Sequence, residues 1–317
     1  MLTYASLKTN PRQFLALTSV QPIEFEFLLR AFAPRAERFF RYRTWEGKLR
    51  QQPRYQPQAD EKLADPAEQL FFLLVYLKNH PLQAFQAALF DLWQGSVSGR
   101  VRLLLGLLNE TLQGLGLSPC QDADALRAQL DRLQVTTLNL DATEREVPRS
   151  TDQDAQRVEY SGKAKTHTAK NQVLCGEDGY VHFLSLTHEG TTHDKALADA
   201  EALDFPVGLL LRQDTGYQGY QPQGVVISQP QKKPRKGTLT DQQKARNQAI
   251  SAKRVVVEHA IGGVKRLHCL SQRLRLKGTA LRDQVMRVGT GLHNLRVSSP
   301  CRRYNPHTPA WALGCLI

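Results

Sequence analysis

Three acidic residues stand where carboxylates could bind a divalent metal ion, and two of them follow runs that are typical of strands. Asp141 comes directly after the alternating run "VTTLNL", and Asp214 follows "LLLRQ" in "LLLRQDTGYQGY". We expect each acid to end its strand and to point into the crevice at the carboxyl ends of parallel strands, where α/β proteins bind ligands. Taken singly, either aspartate is more typical of an ordinary turn that closes a strand.

The third acid, Glu258, lies in "SAKRVVVEHAIGGVKRLH", whose apolar spacing predicts a helix. At about 100° per residue, one side of this helix is polar and largely basic, while most of the apolar residues lie on or beside the other side. The polar side comprises Ser251, Arg254, Glu258, Gly262 and Lys265. An alternative is a surface ion pair between Arg254 and Glu258, worth about a few tenths of a kcal/mol. The two glycines favour the close approach of another backbone, since each costs about 1 kcal/mol relative to alanine in a solvated helix.

Carboxylates from two strand ends and one helix are hard oxygen ligands of the kind that Mg²⁺ or Mn²⁺ binds. Mg²⁺ usually takes one or two carboxylates together with waters and substrate phosphate, so an acidic cluster beside basic residues suits it. Two ions roughly 4 Å apart would activate the attacking oxygen and stabilise the leaving oxygen in an in-line displacement at a phosphodiester. The acids therefore predict two ions, Mg²⁺ or Mn²⁺, and the basic residues predict a DNA substrate.

The distribution of charge supports a polyanionic partner. The chain has 317 residues and a formal net charge of +12. Residues 229–303 hold 18 Lys or Arg and three acids, whereas the rest of the chain holds 24 basic and 27 acidic residues. Contact with nucleic-acid phosphates is favoured over a merely solvated basic face, because the whole positive excess lies in one quarter of the chain.

The cysteines and the apolar runs predict the cellular compartment. The five cysteines form neither a CxxC pair nor an even-numbered disulfide framework, which favours a reducing cytosol. The first residues do not resemble a signal peptide, and no apolar run reaches the roughly 18 residues that a membrane-spanning helix needs. We therefore expect a cytoplasmic protein that contacts no membrane and is associated with the nucleoid when it is bound to DNA.

Residues 1–125 are predicted to form a helical domain. Pro22 suits the first turn of one helix, and the pair Asp65-Pro66 suits the N-cap and first turn of another. Short helices separated by tight turns over residues 66–112 indicate a helix-turn-helix, whose later helix enters the major groove of DNA. The alternative is a helical bundle that packs against the rest of the protein or against a second copy.

Residues 130–297 are predicted to form an α/β domain, because short strands, a helix near residues 194–203 and two further strands precede more helices. The later helical patterns cover residues 239–250, 252–267 and 279–295. Residues 298–317 are left as a C-terminal tail, whose apolar end is too short for a membrane anchor.

Five segments stand in the order found in a known family: "LDATE", "YSGKAKTHTAKNQVL", "HEGTTHDKALA", "QDTGYQGY" and "KKPRKGTLTDQQKARNQAISAKRVVVEHAIGGVKRL". On these segments the chain resembles DDE-type insertion-sequence transposases, in which a helix-turn-helix precedes an RNase H-like catalytic domain. The resemblance covers most of residues 1–297. It implies that the α/β domain is RNase H-like, with a mixed central sheet flanked by helices.

The resemblance also implies that Asp141, Asp214 and Glu258 are the catalytic and metal-binding triad, separated by 73 and 44 residues. Related transposases carry a signature of Tyr, Arg, Glu and Lys with two, three and six residues between them. This chain supplies the last three members of the signature, but Ser251 stands where the relatives have tyrosine. The role of that tyrosine is therefore not assured here.

Other residues receive roles only through the resemblance. Glu144 is close enough in sequence to Asp141 to be an accessory ligand. His193 and Asp194 are left out of the triad, because an aspartate at a helix start is usually an N-cap. The basic residues expected to bind the DNA backbone are Lys163, Lys165, Lys170, Lys232, Lys233, Arg235, Lys236, Arg254, Lys265 and Arg266. For the first of these segments the alternative is a solvated hairpin.

The expected function is a DNA transposase that hydrolyses phosphodiesters at its element's ends and transfers the freed 3′-hydroxyl into target DNA. Double-stranded DNA with terminal inverted repeats is the expected partner. Because two ends must be brought together, a homodimer or larger assembly is expected in the DNA complex. The alternatives are an endonuclease without strand transfer and an inactive remnant that only binds DNA.

Overall fold

The computed structural model describes residues 1–58, 61–234, 237–275 and 278–299, and these divide into two units. Unit 1 comprises Met1–Ser118 and Lys265–Gln272, together with residues 278–299. Unit 2 comprises Pro119–Val264 and Arg273–Arg275. Within the described ranges, no helix combines the length and apolar character needed to cross a membrane.

The described residues form the following helices and strands. The helices are α1 (Tyr4–Leu7), α2 (Pro11–Thr18), α3 (Pro22–Tyr42), α4 (Pro66–Asn79), α5 (Gln83–Phe90), α6 (Gln94–Gly114), α7 (Ala123–Leu133), α8 (Gln153–Glu159), α9 (Asp194–Glu201), α10 (Asp241–Val264), α11 (His268–Ser271) and α12 (Thr279–Ser298). The strands are β1 (Thr137–Glu146), β2 (Tyr160–Ser161), β3 (Thr166–Cys175), β4 (Val181–Leu184), β5 (His188–Glu189), β6 (Leu210–Arg212) and β7 (Val226–Ser228).

Unit 1 is built around α4, which is apolar on all sides. The Asp65 carboxylate caps this helix by accepting a hydrogen bond from the Ala67 backbone N–H at 2.8 Å, and Pro66 occupies the first turn, as predicted. Every side chain of α4 from residue 69 to residue 77 is buried. A helix that is apolar all round must be covered on every side. Helices α2, α3, α6 and α11 pack against it.

The last described helix, α12, packs with unit 1 and mainly against α6. A Cβ built on Gly291 would lie 3.0 Å from the Leu112 Cδ1 atom, so the two helices are in close contact. The Asn294 side chain donates to the Leu117 carbonyl at 2.9 Å, and Arg296 donates to the Ser19 hydroxyl at 3.0 Å. The division by contacts therefore differs from the predicted catalytic range of 130–297, which included α12.

Unit 2 contains a mixed sheet with the central order β4–β3–β1–β6–β7. Strand β3 is antiparallel to β1 and β4, whereas β1, β6 and β7 run parallel. Helices α7, α9 and α10 flank these strands. This arrangement confirms the predicted α/β fold class with a mixed central sheet and flanking helices.

The core of unit 2 forms on one face of this sheet. Strand β1 contributes Leu138 and Leu140, both fully buried, and the alternating pattern that predicted the strand accounts for their common direction. The other members of the cluster come from α7, α9, β3, β4, β6 and the segments around them. The sheet is therefore fixed in position by a packed apolar layer, and its strand ends hold the polar residues described below.

Two predicted bounds differ from the structure. The helical patterns at residues 239–250 and 252–267 belong to one continuous helix, α10, because no proline or glycine interrupts the chain between them. Strand β1 continues beyond Asp141 to Glu146, because β3 remains its antiparallel partner over that length.

Candidate active site

Asp141 and Asp214 occupy corresponding positions at the end of a parallel strand pair. The register pairs Asn139 of β1 with Arg212 of β6, and each aspartate comes two residues after its member of that last pair. The prediction that Asp141 ends its strand was wrong, because Asp141 still pairs with Val173 of β3. The parallel neighbour β6 ends there instead, so both acids lie at the carboxyl end of the parallel pair.

The segment after β6 forms a turn that fixes Asp214. The Asp214 carboxylate accepts a hydrogen bond from the Gly216 backbone N–H at 2.7 Å and caps the short 3-10 turn Thr215–Tyr217. The buried Gln213 side chain donates to the backbone carbonyl of Tyr220 at 3.2 Å, and Gln229 donates to the Asp214 carbonyl. The "QDTGYQGY" segment is thus held as a defined turn with its aspartate at the strand end.

A third carboxylate, that of Asp194, lies beside this turn. A Cβ built on Gly216 would lie 2.9 Å from both the Asp194 Oδ2 and the Asp214 Oδ1 atoms, so the two carboxylates approach each other across a glycine. The sequence predicted that Asp194 is an N-cap, but His193 occupies the N-cap and Asp194 is the first residue of α9. Its carboxylate is therefore available for contacts in unit 2.

Lys170 of β3 binds Asp194. Its Nζ atom lies 2.9 Å from the Asp194 Oδ1 atom and 3.5 Å from the Glu144 Oε1 atom, and it donates to the Thr192 carbonyl at 2.7 Å. The Lys170 side chain is only 8% exposed. Glu144 also accepts a hydrogen bond from the Thr168 hydroxyl at 3.0 Å. Lys170, predicted to bind DNA, is thus buried among oxygen acceptors, and Glu144 is engaged by Lys170 and Thr168.

The surroundings of Asp141 raise its pKa to about 6. Burial is the main cause, and the negative charges of Asp214 and Asp194 act in the same direction. The Ala142 N–H, which donates to Asp141 at 2.8 Å, and the positive charge of Arg254 oppose the rise. An Arg254 guanidinium nitrogen lies 3.7 Å from Asp141, and the arginine side chain is 9% exposed. Arg254, also predicted to bind DNA, is therefore the ion-pair partner of Asp141.

The same acids affect the pKa of the buried Tyr217 hydroxyl. Tyr217 is fully buried, and its pKa is raised well above the usual range by burial and then by the charges of Asp194, Asp141 and Asp214. Within the described part of the chain, this hydroxyl has no hydrogen-bond partner. Such a group is unusual in a folded protein, where buried polar atoms are nearly always paired.

Glu258 lies on α10, which packs against β1 and β3. The buried side of this helix includes Ile250, Arg254, Val257 and Val264, whereas Glu258 is exposed one turn beyond Arg254. Among the described residues, no three His, Cys, Asp or Glu side chains are close enough to hold one metal ion. The structure places Asp194 beside Asp214 at Gly216, and the triad that includes Glu258 stays a prediction.

The other predicted DNA-binding residues differ in exposure. Lys163 and Lys165 are exposed between β2 and β3, and Lys232 and Lys233 are exposed after β7. In unit 1, Arg266 is exposed and Lys265 is partly buried. Arg235 and Lys236 lie outside the described residues.

Sequence reasoning missed that Asp194 lies beside Asp214 and that Lys170 forms an ion pair with Asp194. Asp194 and Lys170 are separated by 24 residues, and no local pattern joins them. The signal that could have found the acid is the segment "TTHDK", in which a histidine precedes the aspartate and can occupy the N-cap itself. Gly216 offered a second signal, since a glycine in a turn after an acid permits close approach of another group.

Comparisons with known proteins give family matches for two parts of the chain. The family model described as "DDE superfamily endonuclease" matches residues 140–294, and the model described as "Helix-turn-helix of DDE superfamily endonuclease" matches residues 61–114. The chain is 31% identical over 137 residues to the "Probable transposase for insertion sequence element IS702" of Microchaete diplosiphon. That match covers 43% of this chain and 49% of the relative, so it spans about half of the relative's length. No solved structure gives a significant match.

The helix-turn-helix match lies within unit 1, whereas the endonuclease match covers most of unit 2 and also α11 and most of α12 of unit 1. The helix-turn-helix match covers α4, α5 and α6, and the endonuclease match begins one residue before Asp141 and includes Asp214 and Glu258. The chain is thus similar to DDE superfamily endonucleases over residues 140–294 and to their helix-turn-helix over residues 61–114, and it resembles the insertion-sequence transposases that carry an N-terminal helix-turn-helix.

Proposed function

We propose that the protein is a DNA transposase that hydrolyses phosphodiesters at its element's ends and then joins the freed 3′-hydroxyl to target DNA. The observation that carries the proposal is the meeting of Asp141 and Asp214 at the end of the parallel strand pair. The match to the DDE superfamily endonuclease model and the likeness to a probable insertion-sequence transposase support it.

Endonucleases of this superfamily generally depend on divalent metal ions. The chemistry of the donors suits such an ion, because Asp141 and Asp214 offer hard carboxylate oxygens at the end of one parallel strand pair. We assign ion binding to Asp141 and Asp214, with Glu258 as the ligand from α10. Two bound ions, Mg²⁺ or Mn²⁺, would supply Lewis-acid activation of the attacking oxygen and stabilisation of the leaving oxygen.

The residues around Asp141 keep this carboxylate ready to bind a cation. Its pKa of about 6 leaves it mostly ionised at neutral pH, and Arg254 offsets part of the cost of its burial. The Ala142 N–H holds the Oδ1 atom, and the turn at Gly216 holds Asp214. The protein thereby orients two carboxylates from adjacent strands before the substrate is bound.

The exposed lysines are the groups that we assign to the DNA backbone. Lys163, Lys165, Lys232 and Lys233 are solvent-exposed in unit 2, and long basic side chains neutralise phosphates in DNA complexes. The same role is proposed for Lys265, Arg266, Arg235 and Lys236. The helix-turn-helix is proposed to recognise the terminal inverted repeats, with its later helix in the major groove. Holding two ends together calls for a homodimer or a larger assembly in the DNA complex, at the nucleoid.

The test is a nicking and joining assay with the full-length protein and labelled DNA that carries the element's terminal repeats. Reactions contain Mg²⁺, Mn²⁺ or a chelator, and the products are resolved as nicked or joined strands. The variants are Asp214→Asn and Glu258→Gln, with Asp241→Asn as the control because Asp241 is fully exposed on the same helix as Glu258. We expect metal-dependent nicking and joining that both triad variants lose and the control retains.

Each other outcome contradicts part of the proposal. Nicked products without joined ones would indicate an endonuclease that does not transfer strands. Tight binding without nicking in the wild-type protein would indicate a DNA-binding regulator or an inactive remnant. Loss of activity in Asp214→Asn but not in Glu258→Gln would remove the helix α10 acid from the site.

A further inference from the structure

A groove in unit 2, which we call the α8 groove, lies beyond the end of the β1–β3 ladder. Its volume is about 740 Å³, and it is lined by Arg149, Thr151, Gln153, Gln156, Arg157, Tyr160 and His167. The His167 carbonyl accepts from the Val147 N–H at 3.0 Å, one pair past the last rung of the ladder. Asp141 pairs with Val173, six residues from His167, so the groove lies about 20 Å along β3 from Asp141. A volume of this size is typical of a ligand site.

Two of the lining side chains are aromatic and hold each other in place. Tyr160 of β2 pairs with His167 of β3, and the ring centroids lie 5.6 Å apart at an interplanar angle of 73°. This edge-to-face contact fixes the orientation of the rings. Tyr160 nevertheless stays 45% exposed. A ring that is fixed by its neighbour and open to solvent is suited to stacking on a nucleobase.

Two arginines give the groove a positive charge. Arg149 donates to the Gln156 Oε1 atom at 2.7 Å, and Gln156 donates to the Ser150 carbonyl at 2.8 Å, so α8 holds this guanidinium in place. The Arg157 side chain is 78% exposed, and its partner Asp154 is a solvated carboxylate 3.5 Å away. Such a surface pair is weak. Among the described residues that line the groove, none is acidic, so a phosphate would meet guanidinium groups there.

These side chains together match the parts of one nucleotide. Tyr160 offers a surface for the base, Arg149 and Arg157 offer charge for the phosphate, and Gln153 and Thr151 offer hydrogen bonds for the base edge. An acidic peptide would use the arginines and leave the aromatic ring without a partner. In a duplex, the neighbouring bases cover each base face, so only an unpaired base can stack on the ring.

We propose that the α8 groove binds an unpaired nucleotide of single-stranded DNA, with its base on Tyr160 and its phosphate on Arg149 and Arg157. This inference rests on the proposed function, because a strand that is cut and separated from its complement provides unpaired nucleotides. The exposed Lys163 and Lys165 lie in the turn that joins Tyr160 to His167. The groove therefore continues a basic surface already assigned to DNA.

The test measures binding of a labelled single-stranded oligonucleotide, and of the duplex with the same sequence, by fluorescence anisotropy. The full-length protein is used with a chelator, so that no strand is cut. Tyr160→Ala removes the ring, and Tyr160→Phe keeps it. Tyr42→Ala is the matched control, because Tyr42 is also 45% exposed but lies in unit 1, outside the segment that matches the helix-turn-helix model.

A second variant tests the groove without changing β2. Arg149 and Arg157 are replaced together by alanine, and single-strand binding is measured at increasing salt. Thermal unfolding of every variant accompanies the binding measurements, so that a loss of affinity is separated from a loss of folding.

We expect Tyr160→Ala to weaken single-strand binding at least about fivefold, because base stacking is lost, and to change duplex binding by less than about twofold. Tyr160→Phe and Tyr42→Ala should keep the wild-type affinity for both. The arginine variant should weaken single-strand binding and lower the slope of log affinity against log salt by about 1, since phosphate contacts are lost.

Several outcomes would overturn the inference. These are equal weakening of single-strand and duplex binding in Tyr160→Ala, the same loss in Tyr160→Phe, and an unchanged salt slope in the arginine variant. Displacement of the oligonucleotide by thymidine monophosphate at an equal nucleotide concentration would assign the groove to free nucleotides instead. Each of these results leaves the proposed function intact, because no cleavage is measured. A wild-type protein that binds single strands through Tyr160 but neither nicks nor joins DNA would overturn the proposed function and not the groove.

Discussion

The residues of unit 2 that were predicted to bind DNA fall into two groups, which the sequence alone does not separate. Lys170 and Arg254 are buried and lie within ion-pair distance of Asp194 and Asp141, respectively. Lys163 and Lys233 are exposed on segments outside the central strands. All four are basic residues of the kind that bind DNA. The buried pair, Lys170 and Arg254, neutralises acids of unit 2 instead. Lys163 and Lys233 can neutralise DNA phosphates without breaking an ion pair with a buried carboxylate, whereas Lys170 and Arg254 cannot.

The largest difference between the two groups should appear in stability. Lys170→Ala leaves the Asp194 and Glu144 carboxylates without their shared ammonium, and removing one member of a buried pair costs about 3 kcal/mol. Lys163→Ala, at an exposed position of the same segment, should change the free energy of unfolding by less than about 0.5 kcal/mol. Denaturant unfolding of the two variants measures this contrast. Equal effects would mean that the buried pair does not stabilise the fold.

The second prediction concerns the buried acids and pH. A raised pKa of about 6 means that Asp141 is mostly ionised at pH 7 and mostly protonated at pH 5. Because protons compete with the metal ion for the carboxylate, Mn²⁺ affinity should fall about tenfold between pH 7 and pH 5. Binding titrations at several pH values test this. A constant affinity over this range would show that Asp141 does not ligate the ion.

The exposed group should control the salt dependence of DNA binding. Replacing Lys232 and Lys233 together by alanine should weaken binding several-fold and reduce the slope of log affinity against log salt by about 2, because each lost phosphate contact lowers it by roughly 1. Lys195→Ala is the control, since Lys195 is paired with Asp199 on α9. The affinity is measured by fluorescence anisotropy at increasing salt. An unchanged slope would place the DNA elsewhere on the protein.

The smallest expected effect distinguishes a solvated helix surface from one that DNA approaches. The sequence predicted a close backbone approach at Gly262, yet no atom of the described residues lies within 4 Å of a Cβ built there. Gly262→Ala should therefore stabilise α10 by up to about 1 kcal/mol. Thermal unfolding measures the gain, and nicking assays show its consequence. Greater stability with weaker nicking would indicate that DNA fills this space in the complex.

Much of the fold followed from local signals in the sequence. Asp65 and Pro66 marked the start of α4, and alternating residues marked β1, so the helical unit and the first strand were predicted. The meeting of Asp141 and Asp214 was also predicted, because parallel strands bring their carboxyl ends to one edge. These features depend on capping, periodicity and strand direction, which are local properties.

The remaining features depend on contacts between distant residues. Lys170 was expected to bind DNA because the sequence does not reveal its pairing with Asp194 of α9. Asp194 was interpreted as a cap because the sequence does not reveal its approach to Asp214. The continuation of β1 past Asp141 depends on β3, which pairs with it up to Glu146. The packing of α12 in unit 1 had no local signal either, since its apolar face would suit any helical partner.

The packing of α12 with unit 1 affects the order in which the two units are completed during synthesis. Residues 119–264 of unit 2 lie between α6 and α12 in the chain, so the ribosome makes most of unit 2 before the helix that packs against α6. Leu112 and the Leu117 carbonyl acquire their partners Gly291 and Asn294 only after residues 119–264 have been synthesised. Because contacts of large sequence separation form late, unit 1 is completed only after most of unit 2 has been made.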